Sequence, residues 1–239
     1  MVQITATPSP EPAPSRADVT RRRILEAASR VFRRQGLHSA GMREIAAELG
    51  MHAGNLYYYF RDKGELLAFC QEATLDRLLA LAARAESADL PADAKLRLLI
   101  AGHVVELNEE VPGSLAHLEI EAIDAERRPA ILERRDAYEE TWRRILEQGA
   151  AGGVFRSVDT GTVSRGLLGA VNWTVKWFRS EGEKTAAEIG DELADVLVGG
   201  LLAAGAVRDP GGSRTPRAGG PRNARPKRPA PRAGRRRKV

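Results

Sequence analysis

Residues 42–60, MREIAAELGMHAGNLYYYF, hold two short apolar-faced segments separated by a glycine. In the first, Ile45, Ala46 and Leu49 recur at helical spacing and make one apolar face, with Arg43, Glu44 and Glu48 on the other. Gly50 follows the last periodic residue, where glycine takes the left-handed conformation that ends a helix without steric cost. The second segment turns Ala53, Leu56 and Phe60 inward, leaving Gly54, Asn55 and Tyr58 outward and Tyr57 and Tyr59 on the flanks. Four consecutive aromatics cannot all be buried on one helix face. A phenol packs on one side and hydrogen-bonds phosphate on the other. Lys63, at the start of the next predicted helix, opposes that helix's dipole unless an anion compensates it, and a DNA phosphate is such an anion. The stretch therefore predicts a DNA-reading helix-turn-helix; the alternative is a helical hairpin whose tyrosines pack on other helices.

Working outward, a helix at 23–35 with Phe32 precedes Gly36, and Lys63 is followed by Leu66 and Leu67. Together with the runs MREIA at 42–46 and GNLYYYF at 54–60, this resembles the TetR family of transcriptional regulators. The resemblance implies an all-α fold, an N-terminal three-helix helix-turn-helix domain followed by a larger helical ligand-binding and dimerisation domain. It implies that Tyr57, Tyr59 and Lys63 hold backbone phosphates while Arg43, Ala53, Gly54, Asn55 and Tyr58 lie near base edges. The chain departs from the family pattern twice. Gly41 and Met42 stand where hydroxyl residues often cap the second helix, and Gly64 stands where an acid is common.

Charge divides in the same way. Of a net +5, residues 208–239 carry +11 and residues 1–66 carry +3, so residues 67–207 are net −9 and DNA is directed to the N-terminal domain. The composition predicts a disordered Pro/Ala/Ser-rich arm at 1–17, a DNA-binding domain at 18–66, a ligand-binding and dimerisation domain at 67–207 and a disordered basic tail at 208–239. The tail is either a solvated extension or a source of salt-sensitive, sequence-independent DNA attraction. Cys70 is the single cysteine, so no intrachain disulfide forms, and it reads as a packing residue. Neither a signal peptide nor a membrane span is legible, which predicts a cytoplasmic protein without a membrane partner. No phosphate loop, nucleophile elbow or metal-ligand spacing is present, so neither catalysis nor a metal or cofactor is expected.

The first helix should start at Asp18 or Thr20, with Arg21, Arg22 and Arg23 either solvated or near phosphates. Asp62 should cap a long fourth helix reaching Ser87, and Pro91 should open a fifth bearing Leu96, Leu99, Ile100, His103, Val104 and Leu107. A sixth helix at 114–124 and a seventh from Pro129, stopping at Gly149, should follow. Two more are expected at 160–179 and 185–206, where Gly166, Gly169, Gly199 and Gly200 permit close helix approach. In the TetR family the corresponding pair docks on its copy as a four-helix bundle, which implies a homodimer; its alternative is intrachain core. Two recognition helices about 34–36 Å apart would then read half-sites one turn apart on a near-palindromic operator.

Trp173 and Trp177 lie four apart, and with Asn172 and Lys176 they mark the segment NWTVKWFR. They are either packing aromatics or ligand contacts. The segment, with EQG at 147–149 and VFR at 154–156, is similar to TetR-type repressors of lipid and sterol breakdown, which respond to acyl-CoA thioesters. That similarity implies an acyl tunnel beside Trp173 and phosphate contacts from Arg134, Arg143, Lys176 or Arg179. His103, Glu106, Leu107, Asn108, His117, Glu119, Glu121, Tyr138 and Trp142 lie on the candidate pocket helices; an unrelated hydrophobic effector stays open.

Overall fold

The computed structural model describes residues 15–110 and 120–204; the expectations for the arm up to residue 14, for the loop and helix start at 111–119 with His117 and Glu119, and for the basic tail lie outside the described residues. Helix α1 is Arg16–Gln35. Its cap is Ser15, upstream of the expected Asp18 or Thr20, because the pair caps reciprocally: the Asp18 N–H donates to the Ser15 hydroxyl at 3.2 Å and the Ser15 N–H donates to the Asp18 carboxylate at 3.1 Å. Residues 16 and 17, expected in the arm, are thus helical. Ile24, Leu25, Ala28, Val31 and Phe32 are buried along one stripe, as their spacing predicts.

Helix α2 is Met42–Glu48 and α3 is Ala53–Tyr59. Gly41, lacking a side chain, gains its cap from Glu44, whose carboxylate accepts the Gly41 N–H at 3.1 Å. At the far end Gly50 has φ +66°, and the N–H groups of Gly50 and Met51 donate to the carbonyls of Ala47 and Ala46, each at 3.0 Å. This reciprocal C-terminal motif sets the tight turn between the two helices. Gly50→Ala is expected to cost about 1–2 kcal/mol through its left-handed backbone. An unchanged midpoint in urea denaturation would contradict that.

Asp62 caps α4, Lys63–Ser87, by accepting the Glu65 N–H at 2.8 Å. The helix serves two cores. Leu66, Leu67, Cys70 and Leu75 join the α1–α3 cluster, to which Ile123 and Ile131 also contribute, whereas Leu78, Leu81, Ala82 and Ala85 join the C-terminal one. All described residues belong to one compact unit. Burial pushes the Cys70 thiol up to about 12, which makes it an inert packing group.

Helix α5, Ala92–Val105, follows Pro91 and continues as a π-helical turn, Glu106–Glu110. Of the expected sixth helix the described part is a single 3-10 turn, Ile120–Ala122. Helix α6, Arg128–Ala151, runs past Gly149. That glycine is no stop: a Cβ there would run into the Phe155 ring, so it lets Phe155, beyond the helix end, pack closely on α6. Phe155 makes an isolated antiparallel bridge with Leu202.

The helix expected over 160–179 is broken. Helix α7, Thr160–Asn172, ends where Trp173 begins a short α8, Thr174–Trp177. At the junction Thr174 is fully buried, and its hydroxyl donates to the Val171 carbonyl at 2.7 Å and accepts from the Asn108 amide at 2.8 Å. Helix α9, Ala186–Gly199, is capped by Thr185 and ends before the expected 206. Its inner stripe is Ala186, Gly190, Ala194 and Val198, small enough to let its backbone close on α5. The glycines expected to mediate close approach do not do so within the chain: a Cβ at Gly166, Gly169 or Gly199 would meet open space, and at Gly200 only its own helix's last turn. Gly102, Gly149 and Gly190 carry that role instead.

Candidate nucleic-acid interface and effector site

The reading face of α3 is set by what its inner face must bury. Leu56 is fully buried and Phe60, just beyond the helix, is nearly so, which turns Gly54, Asn55, Tyr57 and Tyr58 to solvent. Tyr58 is 85% exposed, a large aromatic with almost nothing of its own chain to cover it. Tyr59 is half-buried against the core and meets the Tyr58 ring edge-on at 5.3 Å, so it is a flank that holds its neighbour in place. A Cβ at Gly54 would touch nothing within 4 Å, so no packing in this chain requires glycine there. Ala53 is half-buried and Arg43 projects from α2.

Two sets of basic residues prove to be internal fasteners. Glu48 accepts from Arg30 at 2.8 Å and from Arg34 at 3.0 Å, tying α2 to α1; the two arginines hold its carboxyl below the ordinary value. Lys63 donates to the carbonyls of Leu37 and His38, the latter at 3.4 Å, which anchors the 36–39 loop at the head of α4. An ammonium has three donors, so one remains for a phosphate. Sequence spacing carries no signal for either contact, since the partners are 14 to 26 positions apart.

The residues expected to bind an effector do not form one site. His103, Tyr138, Trp142 and Asn172 do come together. The buried His103 lies 3.0 Å from the Tyr138 hydroxyl through Nδ1 and 3.0 Å from Asn172 Oδ1 through Nε2, and Trp142 meets both rings edge-on. Because Asn172 Oδ1 only accepts, Nε2 carries the proton and Nδ1 accepts from Tyr138. Burial keeps this imidazole neutral, lowering its pKa to about 4. Leu107 is core beside them. Trp173 and Trp177 are not in this cluster: they are 61% and 46% exposed, on the side away from the inner face of Leu167, Val171 and Thr174. Glu121 is exposed and 3.1 Å from Arg128, in the 120–128 turn. Two phosphate-contact candidates, Arg134 and Arg143, are ion-paired with Asp76 and Glu139.

Lys176 and Arg179 belong elsewhere. They line a cleft of about 530 Å³ between α8 and the last turn of α1, with Arg33, His38 and Asn108 also on its walls. Arg33 spans it, donating to the Asn108 carbonyl at 3.3 Å. Neither Arg33 nor His38 is among the site residues expected from the sequence, and nothing local marks them as neighbours of residues 175–180.

Comparison with known proteins gives this geometry its context. Two family models match successive stretches, "Bacterial regulatory proteins, tetR family" over residues 24–69 and "Tetracyclin repressor-like, C-terminal domain" over residues 89–201. The TetR family transcriptional regulator PfmR from Thermus thermophilus is 31% identical, with a TM-score of 0.68 over 74% of this chain and 97% of that one. The chain belongs to the TetR family of transcriptional regulators. It is also 26% identical over 185 residues, 76% of this chain and 92% of the relative, to the HTH-type transcriptional repressor KstR2 of Mycobacterium tuberculosis. AibR, solved in complex with isovaleryl coenzyme A and operator DNA, is 25% identical with a TM-score of 0.65, covering 76% of this chain and 97% of that one.

Gly64, which stands where the family pattern often has an acid, lies against Asp124. A Cβ there would lie 2.7 Å from an Asp124 carboxylate oxygen, and an acidic side chain would set two carboxylates together. Asp124 pairs with Arg127, which also lies 3.8 Å from Glu65. The 120–128 turn thus presses on the first turn of α4, next to α3. Among the described residues, no helix is long and apolar enough to cross a membrane.

Proposed function

We propose that this TetR-family regulator is a cytoplasmic, homodimeric repressor that reads a near-palindromic operator through α3 and releases it when a small effector, an acyl-CoA thioester, binds the C-terminal helices. The observation that carries the DNA reading is the outward face of α3, where the 85% exposed Tyr58 stands beside an uncrowded Gly54 and an exposed Asn55. Tyr57, Tyr59 and the third donor of Lys63 hold phosphates; Arg43, Ala53, Gly54, Asn55 and Tyr58 approach base edges. The division into residues 18–66 for DNA and 67–207 for effector and partner goes with this reading. Dimerisation is supported by the exposed Trp173, Trp177 and Val196 and by the open space at Gly166, Gly169 and Gly199, all on α7 to α9. The effector class is supported by the AibR complex with isovaleryl coenzyme A and by the likeness to the repressor KstR2.

Effector binding would displace α4, which is packed into both cores, and change the separation of the two recognition helices. The test is footprinting of the full chain on DNA flanking its own gene, then release from that site by a panel of acyl-CoAs. A panel that neither stabilises the protein nor releases DNA would refute the effector class. Gly54→Ala separates reading from folding. Replacing a helical glycine should raise stability by up to about 0.5–1 kcal/mol, while the added methyl on the reading face should weaken operator binding about tenfold. Equal operator affinity for the two proteins would remove Gly54 from the interface.

A further inference from the structure

The corner between α3 and α4 holds a row of four alternating charges, Arg61, Glu65, Arg127 and Asp124, that joins it to the 120–128 turn. Arg61 lies between Tyr59 and Lys63 in the chain, and its side chain is 69% exposed. Its guanidinium donates to a Glu65 carboxylate oxygen at 3.3 Å, and its backbone N–H donates to the same oxygen at 2.7 Å. The other Glu65 oxygen is 3.8 Å from Arg127, whose guanidinium also pairs with Asp124. Glu65 needs neither guanidinium to stay in place. The backbone N–H of Arg61 anchors its carboxylate, and its own N–H donates to the capping Asp62 at 2.8 Å. What the two arginines decide is how the charge of Glu65 is shared. A carboxylate lying between two guanidiniums cancels less of each than it would of one alone. The turn that carries Arg127 is held here by packing, since Ile123 is buried with the α1–α3 core and Asp124 lies against Gly64. The sharing therefore responds to any displacement of that turn from α4.

We propose that Glu65 restrains Arg61 from a DNA phosphate, and that Arg127, outside the helix-turn-helix, sets how tightly it does so. With the 120–128 turn docked, Arg127 takes part of the Glu65 charge, and Arg61 is free to turn its planar fork to a phosphate. With the turn displaced, Glu65 pairs with Arg61 alone, and a phosphate has to compete with that carboxylate. Glu65 and Arg127 are positioning residues, since both act through Arg61 and neither touches DNA. The placement of Arg61 rests on the reading of α3 as the DNA-binding helix given above, which puts this cation on the flank where Tyr59 and Lys63 hold the backbone. The signs of the effects follow from the order of the charges. Removing the charge of Glu65 strengthens DNA binding, and removing that of Arg127 weakens it only while Glu65 is charged.

The test is fluorescence-anisotropy titration of the full-length proteins with two duplexes of equal length, one carrying the footprinted site and one of shuffled sequence, over a salt series. Glu65→Gln should bind both duplexes about threefold to tenfold more tightly than wild type at low salt, because the glutamine still accepts the Arg61 N–H but carries no charge. Arg61→Gln should weaken binding to both about tenfold and reduce the salt slope by about 1, as loss of one phosphate contact does. Arg127→Gln should weaken binding about threefold, and that loss should vanish when it is combined with Glu65→Gln. A direct attraction of Arg127 for DNA would survive in the double variant, and a merely structural role for Glu65 would shift its melting curve with no gain in affinity. Either result would overturn the proposal, as would an unchanged salt slope in Arg61→Gln. Tyr58→Ala tests the underlying reading separately. If it keeps the full preference for the footprinted duplex, the reading of α3 fails. If it loses that preference while Glu65→Gln binds like wild type, the reading stands and the restraint of Arg61 alone is overturned.

Discussion

His103→Ala should destabilise the chain by about 3–5 kcal/mol and abolish most of its acid sensitivity between pH 6.5 and 4. The substitution removes a fully buried ring and leaves the Tyr138 hydroxyl and the Asn172 amide oxygen without the partner each now has. The pH effect has a definite sign. Burial lowers the folded-state pKa of His103 from 6.5 to about 4, so the unfolded chain takes up the proton first as pH falls. The stability conferred by the neutral ring is complete above 6.5 and is lost progressively toward 4, by about 3 kcal/mol in all. Urea denaturation of wild type and variant across that range measures the difference. Parallel stability curves for the two proteins would show that the buried imidazole is not the titrating group.

Gly190→Val should be as damaging for a different reason. A Cβ at 190 would lie 2.9 Å from the carbonyl oxygen and 3.0 Å from the Cα of Ala101, and backbone cannot rotate away as a side chain can. Helix α9 would have to move off α5, undoing the packing of Ala186, Ala194 and Val198, at a cost of about 3 kcal/mol. If α9 also forms the partner surface, the same displacement should weaken dimerisation. Thermal denaturation gives the first quantity and sedimentation over a concentration series the second. A valine variant that melts like the wild type would mean that α5 and α9 do not close at this glycine.

The helix-turn-helix is legible in the sequence because its determinants are local. Gly50 ends α2 by its own φ, Asp62 caps α4 by reaching three residues ahead, and the period of Ile45, Ala46, Leu56 and Phe60 sorts inner from outer faces. The effector region is less legible. Trp173 and Trp177 look like a ligand-facing pair, but the face turned inward is that of Leu167, Val171 and Thr174, the last bonded to Asn108 from 66 positions away, and both rings lie outside. Nothing adjacent to Thr174 announces this. A side chain at Gly64 would likewise meet Asp124, a neighbour in space that lies far along the chain.

By itself the sequence determined the helix-turn-helix, its Gly50 turn, the Asp62 cap and the outward set of residues on α3, since each follows from periodicity and from hydrogen bonds within a few positions. Only the tertiary structure decided which polar groups are neutral and buried, which cations are spent on neighbouring carboxylates, and which of them line the cleft between α1 and α8. Those outcomes depend on desolvation and on contacts between helices far apart along the chain. Arg134 and Arg179 read alike in the sequence, as arginines on predicted helices; one is paired with Asp76 and the other looks into the space beside Arg33.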